Sequence, residues 1–288
     1  MNDSLSQWLA LREAADWSAR SERLVQSVRD ALPPADAVRG LDLCAGTGSN
    51  LRYLLDRLPG PQRWLAVDRD PALLDEVPVR LSAWAKAKGG NVTTDGRVSH
   101  VRGDRVDVQV DTRELNLERL DAALFEGRNL VTASALLDLV SESWLRMLAA
   151  RCRAAGATAL FSITYNGQSS CDPREPEDDL VRELMNLHQK TDKGLGGPAA
   201  GPDAWVAAER AFAEAGYRVE RATSDWLIEP RDQEFQRQLI EGWARAACEI
   251  APRQASTIAD WLRRRLTHVD AGRSRIVVGH VDMAALLH

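Results

Sequence analysis

The sequence predicts an α/β fold, a doubly wound and mostly parallel sheet with helices on both faces. Strand-like apolar runs alternate with helical patterns from about residue 38 onward. The stretch "LDLCAGTGSN", residues 41–50, leaves an apolar strand and enters a helical pattern through two glycines. No internal repeat or break in composition divides the chain, so one domain over 1–288 is expected.

The elements follow in order. Leu5, Trp8, Leu9, Trp17, Leu24 and Val28 recur at mostly helical spacings, and the two prolines of "ALPP" end the run, which predicts one or two leading helices. "VRGLDLCAG" reads as a strand, Asn50 to Leu58 as a helix, "RWLAVDRD" as a strand, and Pro71 to Lys88 as a helix with proline in its first turn. Turn residues in "GGN", "TDG" and "RGD", with valines at 106, 108 and 110, predict a hairpin feeding a third strand. "NLVTAS" is the fourth strand, followed by a helix that Gly156 ends, and "ATALFSITYNG" is the fifth. Residues 166–201 read as a polar, Gly/Pro-rich insertion with one helix in "EPEDDLVRELMNLHQK". The helix "PDAWVAAERAFAEAG", the strand "YRVERATS", two helices near 232–250 and 253–268, and the strand "SRIVVGHVDMA" complete the chain. The expected organisation is a helical cap (1–35), a core (36–165), the insertion (166–201) and the rest of the sheet (202–288), interrupted by helices at 232–268.

Composition narrows the partners. Net charge is −5 with acids and bases interspersed, so a general polyphosphate-binding surface is absent and nucleic acid is disfavoured. Cys44, Cys152, Cys171 and Cys248 are scattered with no C-x-x-C pair, which argues for reduced thiols and against a zinc or redox motif; no metal is expected. Arg12, Glu13 and Asp16 interrupt the N-terminal apolar pattern, so it reads as neither a signal peptide nor a membrane span, and a cytoplasmic location without a membrane partner is expected.

In a doubly wound sheet, ligands collect outside the carboxyl ends of the strands, where "LDLCAGTG" leaves the first one. A dinucleotide turn needs G-x-G-x-x-G, and after Gly46 and Gly48 the third position is Leu51. No G-x-x-x-x-G-K-[ST] loop is present, which disfavours ATP and GTP. Asp68, twenty residues after Gly48, ends the second strand where a carboxylate can accept both hydroxyls of a ribose, although it could also cap the helix beginning "PALL". Arg69 and Asp70 read as solvated. A ligand with a ribose but no diphosphate fits, and S-adenosylmethionine has that chemistry.

"LDLCAGTGSN" followed by "WLAVDRDPALL" resembles the first two motifs of the class I S-adenosylmethionine-dependent methyltransferases. The resemblance implies a Rossmann-like, seven-stranded sheet with N-terminal helices and helical insertions capping the site. It implies that Asp42 positions the cofactor's amino-acid end, that Ala45, Gly46 and Gly48 let the backbone approach it, and that Asp68 holds the ribose. The chain departs at Cys44, where the family usually has glycine. By the same resemblance Asn116 and Leu117 sit by the adenine, with Asp111 or Asp104 as alternatives, and Thr132 to Leu136, including Ala133 and Ser134, sit by the sulfonium. The cofactor becomes S-adenosyl-L-homocysteine.

No motif names the methyl acceptor. The Asn/Asp-Pro-Pro-aromatic motif of methyltransferases acting on nucleic-acid amino groups is replaced by "TASALL". A small-molecule acceptor with an oxygen or nitrogen nucleophile is the expectation; a protein, peptide or RNA methyltransferase and a non-catalytic cofactor-binding protein are the alternatives, and the oligomeric state stays open. His188 is the candidate base and Asp192 and Lys193 the candidate orienting groups, because "NLHQKTDKGLGGPAAG" should overhang the strand ends. Asp138 and Tyr165 are placed toward the cofactor by topology, and Trp144, Trp226 and Trp243 could build an aromatic pocket. His280, in the last strand, is read as lying away from the site.

Overall fold

In the computed structural model, residues 2–33, 37–103, 106–118 and 120–287 are described. The helices are α1 (Asn2–Ala19), α2 (Glu22–Ala31), α3 (Ser49–Leu55), α4 (Pro71–Ala87), α5 (Glu142–Ala155), α6 (Asp178–Gln189), α7 (Ala204–Glu214), α8 (Gln233–Ile250) and α9 (Ala255–Asp270). The strands are β1 (Val38–Leu43), β2 (Gln62–Asp68), β3 (Asn91–Asp95), β4 (Val98–Gly103), β5 (Val106–Glu114), β6 (Leu130–Ser134), β7 (Thr158–Asp172), β8 (Arg218–Thr223), β9 (Trp226–Ile228) and β10 (Arg275–Leu286).

Local chemistry sets several ends. The Ser21 hydroxyl accepts from the Leu24 N–H to start α2, Asp70 does the same for Ala72 at α4, and Gly156 closes α5 in the left-handed conformation.

Among the described residues ten strands form one sheet, in the order β3-β4-β5-β2-β1-β6-β7-β10-β8, with β9 also on β10. The five strands β5, β2, β1, β6 and β7 are mutually parallel. The β3-β4 hairpin adds antiparallel to β5, and β10 runs antiparallel between β7 and β8. The doubly wound, mostly parallel sheet expected from the sequence is therefore present, with the hairpin strands and the short β9 in addition to its seven strands. The chain order reverses at β1, between β2 and β6, and the crevice outside their carboxyl ends is the topological switch point.

One difference matters for the site. β7 runs on to Asp172, so the first residues of the expected 166–201 insertion are strand. The cause is β10, whose ladder with β7 reaches from Ala285↔Ala159 to Arg275↔Asp172. The projecting ends of β7 and β10 carry their own core, in which Ile163, Tyr165 and Val278 pack with Met185 of α6 and Leu239 and Trp243 of α8. α9 ties this unit to α6: the buried Arg265 guanidinium pairs with Asp178, and the Trp261 indole N–H donates to Asp178 Oδ1. The main sheet has one core toward α5 and α7 and another toward α2, α3 and α4. No helix among the described residues is long and apolar enough to cross a membrane.

Candidate active site

A cavity of about 530 Å³ lies at the switch point. Its floor is the turn after β1, with Cys44, Ala45, Gly46 and Thr47 exposed to it, together with Ser49 and Asn50 of α3. Gly46 and Gly48 have φ of 52° and 78°, values that glycine adopts without a steric penalty. A Cβ on Gly46 would stand 3.2 Å from Leu9 Cδ1, so the turn leaves a cradle under α1. A Cβ on Gly48 would instead meet Val77 and Arg52, which makes Gly48 a packing and helix-start residue outside the cavity wall. Leu51, at the third-glycine position, is fully buried in the core.

Cys44 has a φ of 52°. The position where the resembled family has glycine is thus left-handed, a region that costs a non-glycine residue roughly 1–2 kcal/mol. Cys44→Gly should keep the turn, whereas the β-branched side chain of Cys44→Val should destabilise the protein by about 1–3 kcal/mol. Urea unfolding measures this, and a valine variant as stable as the parent would show that the turn tolerates other geometry.

Asp68 lines the cavity with both carboxylate oxygens held. Oδ2 accepts from the Gly46 N–H (2.9 Å) and Oδ1 from the Asp70 N–H (3.0 Å), and each oxygen keeps a second lone pair. The capping role that Asp68 could have had belongs to Asp70. Arg69 and Asp70, read as solvated, both face the cavity. Beside them Leu73, Leu115 and Leu117 form an apolar slot.

Asn116, expected at the adenine, is turned away: it is exposed and its Oδ1 caps the Glu118 N–H (2.9 Å). Asp111 is likewise not among the cavity-lining residues, and Asp104 lies outside the described residues. Trp144 is also not in the wall. It is buried behind it, and its indole N–H donates to the Leu117 carbonyl (2.7 Å), holding the slot from the core.

Asp42 lies beneath the floor, fully buried, where burial pushes its pKa up to about 6. Its Oδ1 accepts from Asn50 Nδ2 and the Thr132 hydroxyl, and its Oδ2 has no hydrogen-bond partner among the described residues. It touches the cavity through Asn50. On the β6 side Ser134, Ala135 and Leu136 line the wall, while Ala133 is core.

The roof is α1, through Leu5, Trp8, Leu9, Arg12 and Asp16. Trp8, Arg12, Ala135 and Leu139 also border a second chamber of about 240 Å³. Its further walls are Asp138, Ile163 and Tyr165, then Met185 and Gln189 of α6, Trp226 of β9, Leu239 and Trp243 of α8, and Val278 and His280 of β10. Ala135 (φ 53°) and Ile163 (φ 56°) are, with Cys44, the non-glycine residues of positive φ among the described residues, and all three line these cavities. Strained backbone of this kind persists only where its surroundings over-determine it, and it concentrates at functional sites.

The second chamber holds the perturbed groups. Burial pushes the Asp138 carboxyl up to about 6, against the pull of backbone N–H groups and of the Arg12 and Lys193 charges, and its Oδ1 has no hydrogen-bond partner among the described residues. Burial, reinforced by the Arg12 charge, pulls His280 down to about 3, so its imidazole is neutral. Burial raises the Tyr165 phenol, which donates to Asn186 Oδ1 (2.8 Å). Arg12 is matched by Asp16 through two hydrogen bonds of 3.0 and 3.1 Å, and its guanidinium lies 4.8 Å from the Trp226 ring centre.

The expected base is elsewhere. His188 sits in the last turn of α6, its Nε2 3.0 Å from Glu249, and lines neither cavity. Asp192 is exposed and caps the Gly194 N–H (2.7 Å). Lys193 does reach the first cavity, with Nζ donating to the His188 carbonyl and the Thr191 hydroxyl. The histidine at the site is His280, which β10 brings in by pairing with Tyr165. Trp226 and Trp243 line the second chamber, so two of the three tryptophans named from the sequence converge there. Sequence reasoning expected α1 as a cap but did not name its site residues, nor Asn50, Leu73, Leu115, Leu139 and His280; for α1 the available signal was Arg12 and Asp16, a charged pair one turn apart inside its apolar pattern.

No family model matches the chain, and no curated protein matches it. Solved structures do. The chain is similar to the cyclopropane synthase MmaA2 of Mycobacterium tuberculosis, 12% identical, with a TM-score of 0.44 over 91% of this chain and 82% of that one. It is similar to YjhP of E. coli, 13% identical, with a TM-score of 0.44 over 96% of this chain and 100% of that one. It is also similar to a geranyl diphosphate methyltransferase solved with S-adenosylmethionine, 13% identical, with a TM-score of 0.40 over 93% of this chain and 85% of that one.

Proposed function

We propose that the protein is a class I S-adenosylmethionine-dependent methyltransferase acting on a small-molecule acceptor, with the cofactor in the larger cavity and the acceptor in the smaller one. The observation that carries this is the pair of adjacent cavities that share Trp8, Arg12, Ala135 and Leu139 in their walls, one with a ribose-type carboxylate and no diphosphate turn, the other rich in aromatic side chains.

The residues fit the cofactor. Asp68 would accept from the ribose hydroxyls with its remaining lone pairs, and Leu73, Leu115 and Leu117 would hold the adenine. Asn50, oriented from below by Asp42 and Thr132, and the cradle at Gly46 receive the amino-acid end. Bound there, S-adenosylmethionine supplies a methyl group on a sulfonium. The chain's contribution is position: Ala135 and Leu139 lie between the two cavities and α1 lines both, which would hold cofactor and acceptor side by side for a methyl transfer. Asp138 takes the acceptor's proton. A chamber of about 240 Å³ bordered by α1, α6 and α8 suits a compact molecule better than a polymer segment.

Calorimetry tests the cofactor. Micromolar binding of S-adenosylmethionine and S-adenosylhomocysteine, with none of NAD, is expected; NAD binding without response to the methyl donor would overturn the reading.

A further inference from the structure

We infer that the second chamber selects a compact amine, whose nitrogen rests against the Asp138 carboxylate between the indoles of Trp8 and Trp243. The inference uses the methyltransferase reading for the reaction, but the selection itself is a property of the chamber.

The argument is a charge balance. The groups facing Asp138 come from every wall. Arg12 of α1 is spoken for by two hydrogen bonds to Asp16. Lys193, on the neighbouring cavity, directs its hydrogen bonds to the His188 carbonyl and the Thr191 hydroxyl, so its charge acts on Asp138 without a hydrogen bond to it. His280 of β10 is neutral, and Tyr165 of β7 is a neutral phenol turned to Asn186. Asp138, only 6% exposed, has backbone N–H partners and two cations at a distance, but its Oδ1 is unpartnered among the described residues. Buried charges are paired in folded proteins because desolvation of a lone one is costly, so the missing partner is a cation or a donor brought by the ligand.

The walls favour the same ligand. Trp8, Trp226 and Trp243 line a space where one cation, the Arg12 guanidinium, already stacks at 4.8 Å from the Trp226 ring centre. Indole faces attract ammonium groups through their quadrupole, most strongly away from water. An acidic acceptor would instead set a second negative charge beside Asp138. In the reaction the bound ammonium first gives one N–H proton to Asp138, and the lone pair so freed forms the new N–CH3 bond as the S–CH3 bond breaks with its electrons returning to sulfur. The product leaves as the protonated methylamine.

The test uses three probes of nearly equal shape, phenethylamine, 2-phenylethanol and phenylacetate, titrated by calorimetry and tryptophan fluorescence into the full chain with and without S-adenosylhomocysteine. Phenethylamine should bind about tenfold tighter than the alcohol, and phenylacetate weakest. Asp138→Asn should erase the preference. Because the comparison among probes needs no variant, it holds even if the asparagine protein fails to fold. Equal binding of amine and alcohol, preference for the acid, or no amine binding at millimolar concentration overturns the inference. Failure of S-adenosylhomocysteine to bind while the amine preference persists would instead remove the cofactor reading and leave the chamber's selectivity standing.

Discussion

Asp138→Asn should lower methyl transfer by roughly 10²–10⁴-fold, the range for losing a general base, while S-adenosylhomocysteine affinity stays unchanged. The carboxylate lines the smaller cavity, proposed for the acceptor, and not the larger one, proposed for the cofactor, which is why the two measurements should separate. Its pKa of about 6 also sets an acidic limb: the base form is lost below that pH, so turnover should fall there and the limb should vanish in the variant. His188→Ala is the contrast. With its ring on Glu249 at the rim of α6 and outside both cavities, its loss should change turnover by no more than about twofold, the usual scale for surface substitutions. Single-turnover assays with labelled methyl donor decide between them. Full turnover of Asp138→Asn would remove Asp138 as the base, and a large loss in His188→Ala would move that role to the end of α6.

Asp68→Ala should weaken S-adenosylhomocysteine binding by about 1.5–3 kcal/mol, or roughly 10- to 150-fold. Two effects combine. The charged acceptor of the ribose hydroxyls is deleted, and the Gly46 N–H loses its partner, so the cradle under Leu9 loosens. Asp68→Asn should lose nearly as much, since an amide presents donors to one of the two backbone N–H groups that the carboxylate now satisfies. Calorimetry with a thermal melt as control reads both variants; an unchanged dissociation constant in a folded variant would mean that the ribose is held elsewhere.

The sequence by itself determined the alternation of strands and helices, the doubly wound sheet, the position of the ligand crevice and the turn from Asp42 to Asn50. These are local properties. Gly46 and Gly48 announce left-handed backbone, Pro71 a helix start, and Asp68 the end of a buried strand, all within thirty residues of chain, whereas the cap on that helix proved to be Asp70, read as solvated. Cys44 was legible as a departure, but only its φ of 52° shows why the position ordinarily takes glycine.

What tertiary structure alone decided is the second chamber. Its walls come from α1, the turn after β6, β7, α6, β9, α8 and β10, segments spread from Trp8 to His280, and no spacing within any one of them encodes the meeting. The deciding event is the antiparallel insertion of β10 between β7 and β8, which sets His280 opposite Tyr165 and extends β7 into a projecting ribbon that α6 and α8 must cover. His188 and Asn116 looked suitable by residue type and position along the chain, yet each found a nearby partner at the surface, Glu249 and the Glu118 N–H, and turned from the crevice. Whether a polar side chain faces a cavity or satisfies itself at the surface depends on the direction of one Cα–Cβ bond in the assembled fold, which residue type does not specify.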